Sequence, residues 1–227
     1  MIMERTLDQH LDHLKGELLK MGSAVEDSIE QAVQSLVERD NHLADVVEEG
    51  GHHIDDWEVA IEEECLKVLA VQQPVASDLR LVAGIIKINY DLERINDQAV
   101  NIAQRARLLN QMPQLKPLID IPRMAELARG MVRDALDAFV NRDVELANKV
   151  RRIDDILDAL RDQIFRELLT YLNTGVPSTV DQAVLLILVS RHLERIGDHS
   201  SNIAENVVYL VQGRIVRHQK EELRGGE

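Results

Sequence analysis

The sequence predicts an all-α protein: two tandem antiparallel three-helix bundles, six long helices related by internal duplication. Three observations carry this. Aromatic residues are only 3% of the chain against 45% hydrophobic overall, so the core is aliphatic, which suits packed helices better than a β-sandwich. Apolar residues recur at three- and four-residue spacing. The pattern Leu-Glu-Arg-Ile-x-Asp-x-x-x-Asn-Ile-Ala occurs twice, at Leu92–Ala103 and Leu193–Ala204, and a repeat of that length marks a duplicated structural unit.

The repeat reaches well beyond the motif. An offset of 103 aligns Ala32 with Ala135, Arg39-Asp40 with Arg142-Asp143, Asp55 with Asp158 and Pro74 with Pro177, while the motifs themselves are offset by 101. Each copy reads as three helices. Helix one spans about Leu7 to Arg39, with Leu14, Leu18, Met21, Val25, Ile29 and Leu36 at helical spacing. Helix two spans about His42 to Val71 and is stopped by Pro74. Its Gly50-Gly51 pair costs roughly 2 kcal/mol in a helix interior, which predicts a kink or break there. Helix three runs to about Asn110, with Ser77 as its expected N-cap. Helix four starts near Pro122, in keeping with proline in a first turn. Helix five covers about Val144 to Asn173. Helix six follows the Thr174–Ser178 turn, with Ser178 and Asp181 spaced as a capping box, and runs to about Gln212. The expected organisation is a first repeat over 1–112, a second over 118–215 and a polar tail over 216–227.

The formal net charge of −14 excludes electrostatic nucleic-acid binding, which needs a basic face, and fits a protein that binds cations or basic partners. The single Cys65 leaves no disulfide framework, and it falls at a core-like position. The stretch Met1 to His13 is too polar for a signal peptide. The most apolar run, Val184–Val189, is far short of the ~20 residues that span a bilayer. The expected location is the cytoplasm, with membrane contact only through partners.

The motif carries the chemistry. Ile85, Ile88, Leu92, Ile95, Ala99, Ile102, Ala106 and Leu109 form a heptad seam on helix three, repeated on helix six by Val189, Leu193, Ile196, Ser200, Ile203, Val207 and Leu210. Glu93 and Asp97, and Glu194 and Asp198, then lie off the seam on an accessible face, with Arg94 and Arg195 pointing elsewhere. Like charges four apart destabilise a helix, and a bound cation is the simplest reason to duplicate them. Residues equidistant from the Val176 turn face each other, which sets Glu194 level with Asp158 and Asp198 level with Asp154. The same construction in the first copy sets Glu93 opposite Trp57 and Asp97 opposite His53, with Asp55 close by. Candidate metal ligands are therefore Glu93, Asp97 and Asp55 in one site and Glu194, Asp198, Asp154 and Asp158 in the other. The sites are expected to be unequal, with His52 or His53 as further candidates in the first. The candidate cofactors are divalent or iron ions: Mg, Mn, Fe or Zn.

With these residues in hand, the chain resembles the PhoU family of phosphate-transport regulators. The family motif Asp-Leu-Glu-Arg-Ile-Gly-Asp is matched by Asp91–Asp97 and, with a histidine first, by His192–Asp198; Asn96 replaces the usual glycine in the first copy. His192 in place of an acid is expected to lower the charge of the second site. Gln73–Val82 is similar to the family's hairpin between helices two and three. The resemblance implies a non-enzymatic, cytoplasmic negative regulator of the phosphate-starvation response. It implies coupling of the ATPase subunit of the phosphate ABC transporter to a membrane sensor histidine kinase, metal on the motif carboxylates, and a homodimer.

Two other readings stay open from the residues alone. A carboxylate-bridged metalloenzyme needs inward-facing glutamates and two Glu-x-x-His motifs; the one candidate here, Glu49-Gly50-Gly51-His52, is broken by the glycines. A metal-binding helical scaffold without a signalling role is the other. No Walker-type glycine loop is present, so nucleotide hydrolysis is not expected.

Overall fold

The computed structural model describes residues 6–173 and 176–214, which form six helices: α1 (Thr6–Val37), α2 (Asn41–Gln72), α3 (Ala76–Asn110), α4 (Asp120–Asn141), α5 (Val144–Leu172) and α6 (Pro177–Gln212). Part of the Thr174–Ser178 turn and the tail beyond residue 214 lie outside the described residues. Helices α1–α3 pack together, as do α4–α6, and the halves join through α3 on α6 and α1 on α4. The heptad seams account for this. Every apolar seam residue of α3 from Ile85 to Leu109 is buried, and on α6 only Leu210 is partly exposed.

The repeated Arg-Asp dipeptides make the corners. Arg39 and Arg142 adopt left-handed φ values of 58° and 53°, which ends the helical hydrogen-bond ladder. The next residue then reaches back: Asp40 N–H donates to Ser35 O at 3.0 Å and Asp143 N–H to Ala138 O at 2.9 Å. The aspartates cap the following helices. Asp40 Oδ1 accepts from His42 N–H at 2.8 Å and Asp143 Oδ1 from Leu146 N–H at 3.0 Å, satisfying amides that have no partner within the helix. The expected serine caps are not used. Ser77 Oγ turns to Asp78, and the residues at the N-cap positions of α3 and α6 are Val75 and Val176, with Pro177 opening α6. The linker between the halves is pinned: Arg39 donates to Asn110 O at 2.7 Å, and the buried Gln182 carboxamide donates to Pro113 O.

The predicted break at Gly50-Gly51 does not occur, and α2 is continuous. The physical reason is tertiary. A Cβ at Gly51 would stand 3.1 Å from Val100 Cγ2 and 3.7 Å from Asn96 Nδ2, so the glycine lets α3 approach α2 closely. Packing of the whole hairpin outweighs the local preference.

The halves meet about a pseudo-twofold axis. Glu26 pairs with Arg133 (3.2 Å) and Glu30 with Arg129, and the repeat offset interchanges the two pairs. Gly22 faces Leu136 and Gly84 faces Leu210 so closely that a Cβ at either would collide. Cys65 is fully buried, and burial pushes its thiol up to about 12.

Candidate functional site

The same pseudo-axis organises the α3–α6 seam. His199 Nδ1 lies 2.9 Å from Asp91 Oδ1, and His192 Nδ1 lies 2.9 Å from Gln98 Oε1. The motif offset carries Asp91 onto His192 and Gln98 onto His199, so position 91 of each copy touches position 98 of the other. One contact sets an imidazole against a carboxylate, with the buried Asp91 also accepting from Asn202 Nδ2 at 3.3 Å. The other is neutral. Burial holds His192 down at about 4, aided by Arg105, Arg195 and Arg191. His192 therefore stands in the seam between the halves as a neutral side chain.

That row lies where the helix register places it. Glu194 senses Asp198 and Asp158 as like charges, and its carboxyl is held above the usual range first by burial and then by those neighbours, against the opposing pull of Arg161. Arg161 Nη2 is 3.1 Å from Glu194 Oε1. Asp154 is buried on α5, and its Oδ1 would lie 3.4 Å from a Cβ at Gly197. It shares a cleft with Asp198.

In the first row, Glu93 is likewise raised, by burial first, then by Asp97 and, further off, Asp55 and Glu58. Two expectations fail here. Arg94 does not point elsewhere: it lies over the Tyr90 ring (4.9 Å to its centre) and turns back, with Nε 3.2 Å from Glu93 and Nη1 3.4 Å from Asp97. Nor does Trp57 face Glu93. Its indole N–H donates to Glu17 Oε2 at 3.1 Å across the α1–α2 seam, which His53 also lines. The carboxylate facing Glu93 from α2 is Glu58 together with Asp55. His52 is solvated, 88% exposed, with Asp55 at 3.9 Å.

Sequence reasoning missed the cleft itself. About 1030 Å³ of space opens between the halves, where Glu58 and Glu62 of α2 and Asp91 of α3 meet Asp154 of α5 and Asp198 and Glu205 of α6. Burial, Glu62 and Asp55 raise the Glu58 carboxyl. The glutamate and aspartate spacing on α2 was a usable signal; the α3–α6 register that joins the two sets was not. Donor chemistry suits a hard cation, since every group on these rows is an oxygen donor. The side chains stand as facing rows neutralised in part by Arg94 and Arg161. Among the described residues no three His, Cys, Asp or Glu groups are gathered about one point.

Known proteins agree with this architecture. The family model described as "PhoU domain" matches twice, at residues 18–106 and 121–207. The phosphate-specific transport system accessory protein PhoU homolog of Aquifex aeolicus is 42% identical over 219 residues, 96% of this chain and 99% of that protein. The protein of the same name from Pseudomonas putida is 41% identical over 217 residues, 95% of this chain and 84% of that one. The crystal structure of PhoU from Pseudomonas aeruginosa has a TM-score of 0.87 at 39% identity, covering 92% of this chain and 100% of that chain. That of the phosphate transport system regulatory protein PhoU from Streptococcus pneumoniae has a TM-score of 0.85 at 27% identity, covering 93% and 99%. With both halves matched and the fold shared, the chain belongs to the PhoU family.

Proposed function

We propose that this chain is a cytoplasmic negative regulator of phosphate uptake and of the phosphate-starvation response, acting as a metal-bearing adaptor between the ATPase subunit of a phosphate ABC transporter and a sensor histidine kinase. The doubled carboxylate row is the observation that supports it: Glu93/Asp97 and Glu194/Asp198 lie off both seams, with facing acids supplied by Asp55 and Glu58 and by Asp154 and Asp158. The relatives' names place those proteins in phosphate-specific transport. None of the described helices is long and apolar enough to cross a membrane, so contact with transporter and kinase runs through protein surfaces.

A metal bound here supplies positive charge on an otherwise acidic face. The chain's own part is to hold it with Glu194, Asp198, Asp154 and Asp158 in one row and Glu93, Asp97 and Asp55 in the other, and to release Arg161 and Arg94 to solvent. The role is non-enzymatic, and a homodimer presents two such faces. The test is calorimetric titration with Mn2+ of the wild type and of Glu194→Gln/Asp198→Asn, paired with ATPase pull-down with and without chelator. Metal affinity falls at least about tenfold in the variant, and chelation weakens the pull-down. Unchanged affinity in both experiments refutes the adaptor reading and leaves a scaffold.

A further inference from the structure

The two halves treat their motif arginine differently. Arg94 and Arg195 stand at equivalent positions of α3 and α6. Arg94 lies over the Tyr90 ring and pairs with Glu93 and Asp97. In the second half the motif offset puts Arg191 where Tyr90 stands, and Glu194 is held from α5 by Arg161 at 3.1 Å. Arg195 thus has neither the ring nor the glutamate. Arg191 and Arg195 are both exposed, and among the described residues neither forms an ion pair or hydrogen bond. Want of acids is not the reason, since the chain carries 40 of them against 26 bases.

A third arginine joins them from α3. The Gln98–His192 and Asp91–His199 contacts run α3 and α6 antiparallel, which sets Arg105 level with Leu185. Helical side chains lean toward the N-terminus of their helix. In an antiparallel pair this tips Arg105 and Arg191 toward each other, and Arg195 leans into the turn that Arg191 occupies. Arg105 is held in that attitude: its Nη1 donates to Asn101 Oδ1 at 3.1 Å and to Gln104 Oε1 at 3.0 Å, both neutral. All three guanidiniums lie close enough to His192 to act on its ring. Glu194 feels Arg191 through space, but its own contact is with Arg161. Like charges four apart, as Arg191 and Arg195 are, destabilise a helix, and Arg105 beside them adds to the cost unless an anion answers it.

We propose that the end of the α3–α6 seam marked by Arg105, Arg191 and Arg195 binds a phosphate dianion, free or as the head of a small monoester. A guanidinium presents a planar fork of N–H donors that matches two oxygens of a phosphate. Helix α6 offers two such forks one turn apart and α3 the third. Arg105 is ordered in advance by Asn101 and Gln104, so it loses little freedom on binding. None of the three is a carboxylate of the metal rows, so this site does not rest on the adaptor reading.

Calorimetric titration with inorganic phosphate at about pH 8, at an ionic strength held constant with NaCl, should show saturable binding. A chelator present throughout keeps the result independent of any metal on the carboxylate rows. Arg191→Gln/Arg195→Gln should weaken binding at least about tenfold, and so should Arg105→Gln. Arg152→Gln, at an exposed arginine in the first half of α5, should leave it unchanged. O-Phosphoserine titrated in parallel separates the two sources: the tighter of the two ligands is the one the site is built for, and either result supports the proposal. A flat titration with both ligands overturns it. So does undiminished binding by the double variant or by Arg105→Gln with helical circular dichroism intact, and so does an equal loss in Arg152→Gln, which would reduce the effect to general charge.

Discussion

The first and second halves share a backbone plan and differ in how they fill it. Where the second half sets a large acid on α5 against a glycine on α6 (Asp154 and Gly197), the first sets a glycine on α2 against an amide on α3 (Gly51 and Asn96). The volume has been moved from one helix to the other. Duplication preserves helix lengths, corners and seams, while paired positions within a half drift together because each side chain fits only its present neighbour.

The largest effect should come from breaking that pairing. Gly197→Asn imports the first half's residue into a space that Leu157 already fills at 2.4 Å from the would-be Cβ. Overpacking of this kind costs about 3 kcal/mol. The reverse change, Asn96→Gly, lacks any such collision and costs about 1 kcal/mol, the penalty of a helix glycine. Urea midpoints of the two variants measure the difference, and equal losses would refute the claim that the halves are packed differently here.

Next comes the charged end of the α3–α6 seam. Asp91→Asn removes the charge from a buried contact with His199 and Asn202 and should cost about 2 kcal/mol. Gln98→Ala at the neutral end, where His192 keeps its desolvated neutral form, should cost about half as much. Thermal unfolding of both variants at pH 7 ranks the two ends; a larger loss from Gln98→Ala would reverse the assignment.

The smallest effect is one of pH. His192 lies near 4 in the folded protein against 6.5 as a free side chain. Between those values the unfolded chain binds the proton that the folded chain refuses. Stability from this group is therefore complete above pH 6.5 and lost as pH falls toward 4. Discounted for partial solvent access, this amounts to about 1–2 kcal/mol. The pH dependence of the urea midpoint over that window should flatten in His192→Gln, and an unchanged slope would assign it to other groups.

Much of this was legible before any coordinates. The duplicated motif and the heptads of α3 and α6 fix six helices and bury Leu92, Ile95, Leu193 and Ile196, because long apolar stripes have one way to leave water. Hairpin register also works within a half: it pairs Glu194 with Asp158 correctly, since α5 and α6 are consecutive and joined by a short turn. It fails between halves. Nothing local says that Asp91 meets His199, so Glu58, Glu62 and Asp91 could not be joined to Asp154 and Asp198. Gly50-Gly51 misleads for a related reason, because the cost of a helix glycine is local and the close approach it permits to Asn96 and Val100 is not. Whether Trp57 packs or lies on the carboxylate face was not legible, because helical rotation, and not level along the axis, decides which seam a side chain enters.

The Asp91–His199 contact joins residues 108 apart in sequence. At synthesis rates of roughly 5–20 residues per second, about 5–20 seconds separate the emergence of its two partners from the ribosome. Throughout that interval α3 has its own hairpin to pack against and no α6, so its far face and a buried aspartate meet water or a chaperone. The two-sided burial that makes α3 the spine of the finished molecule leaves one of its faces uncovered until the final helix has been made.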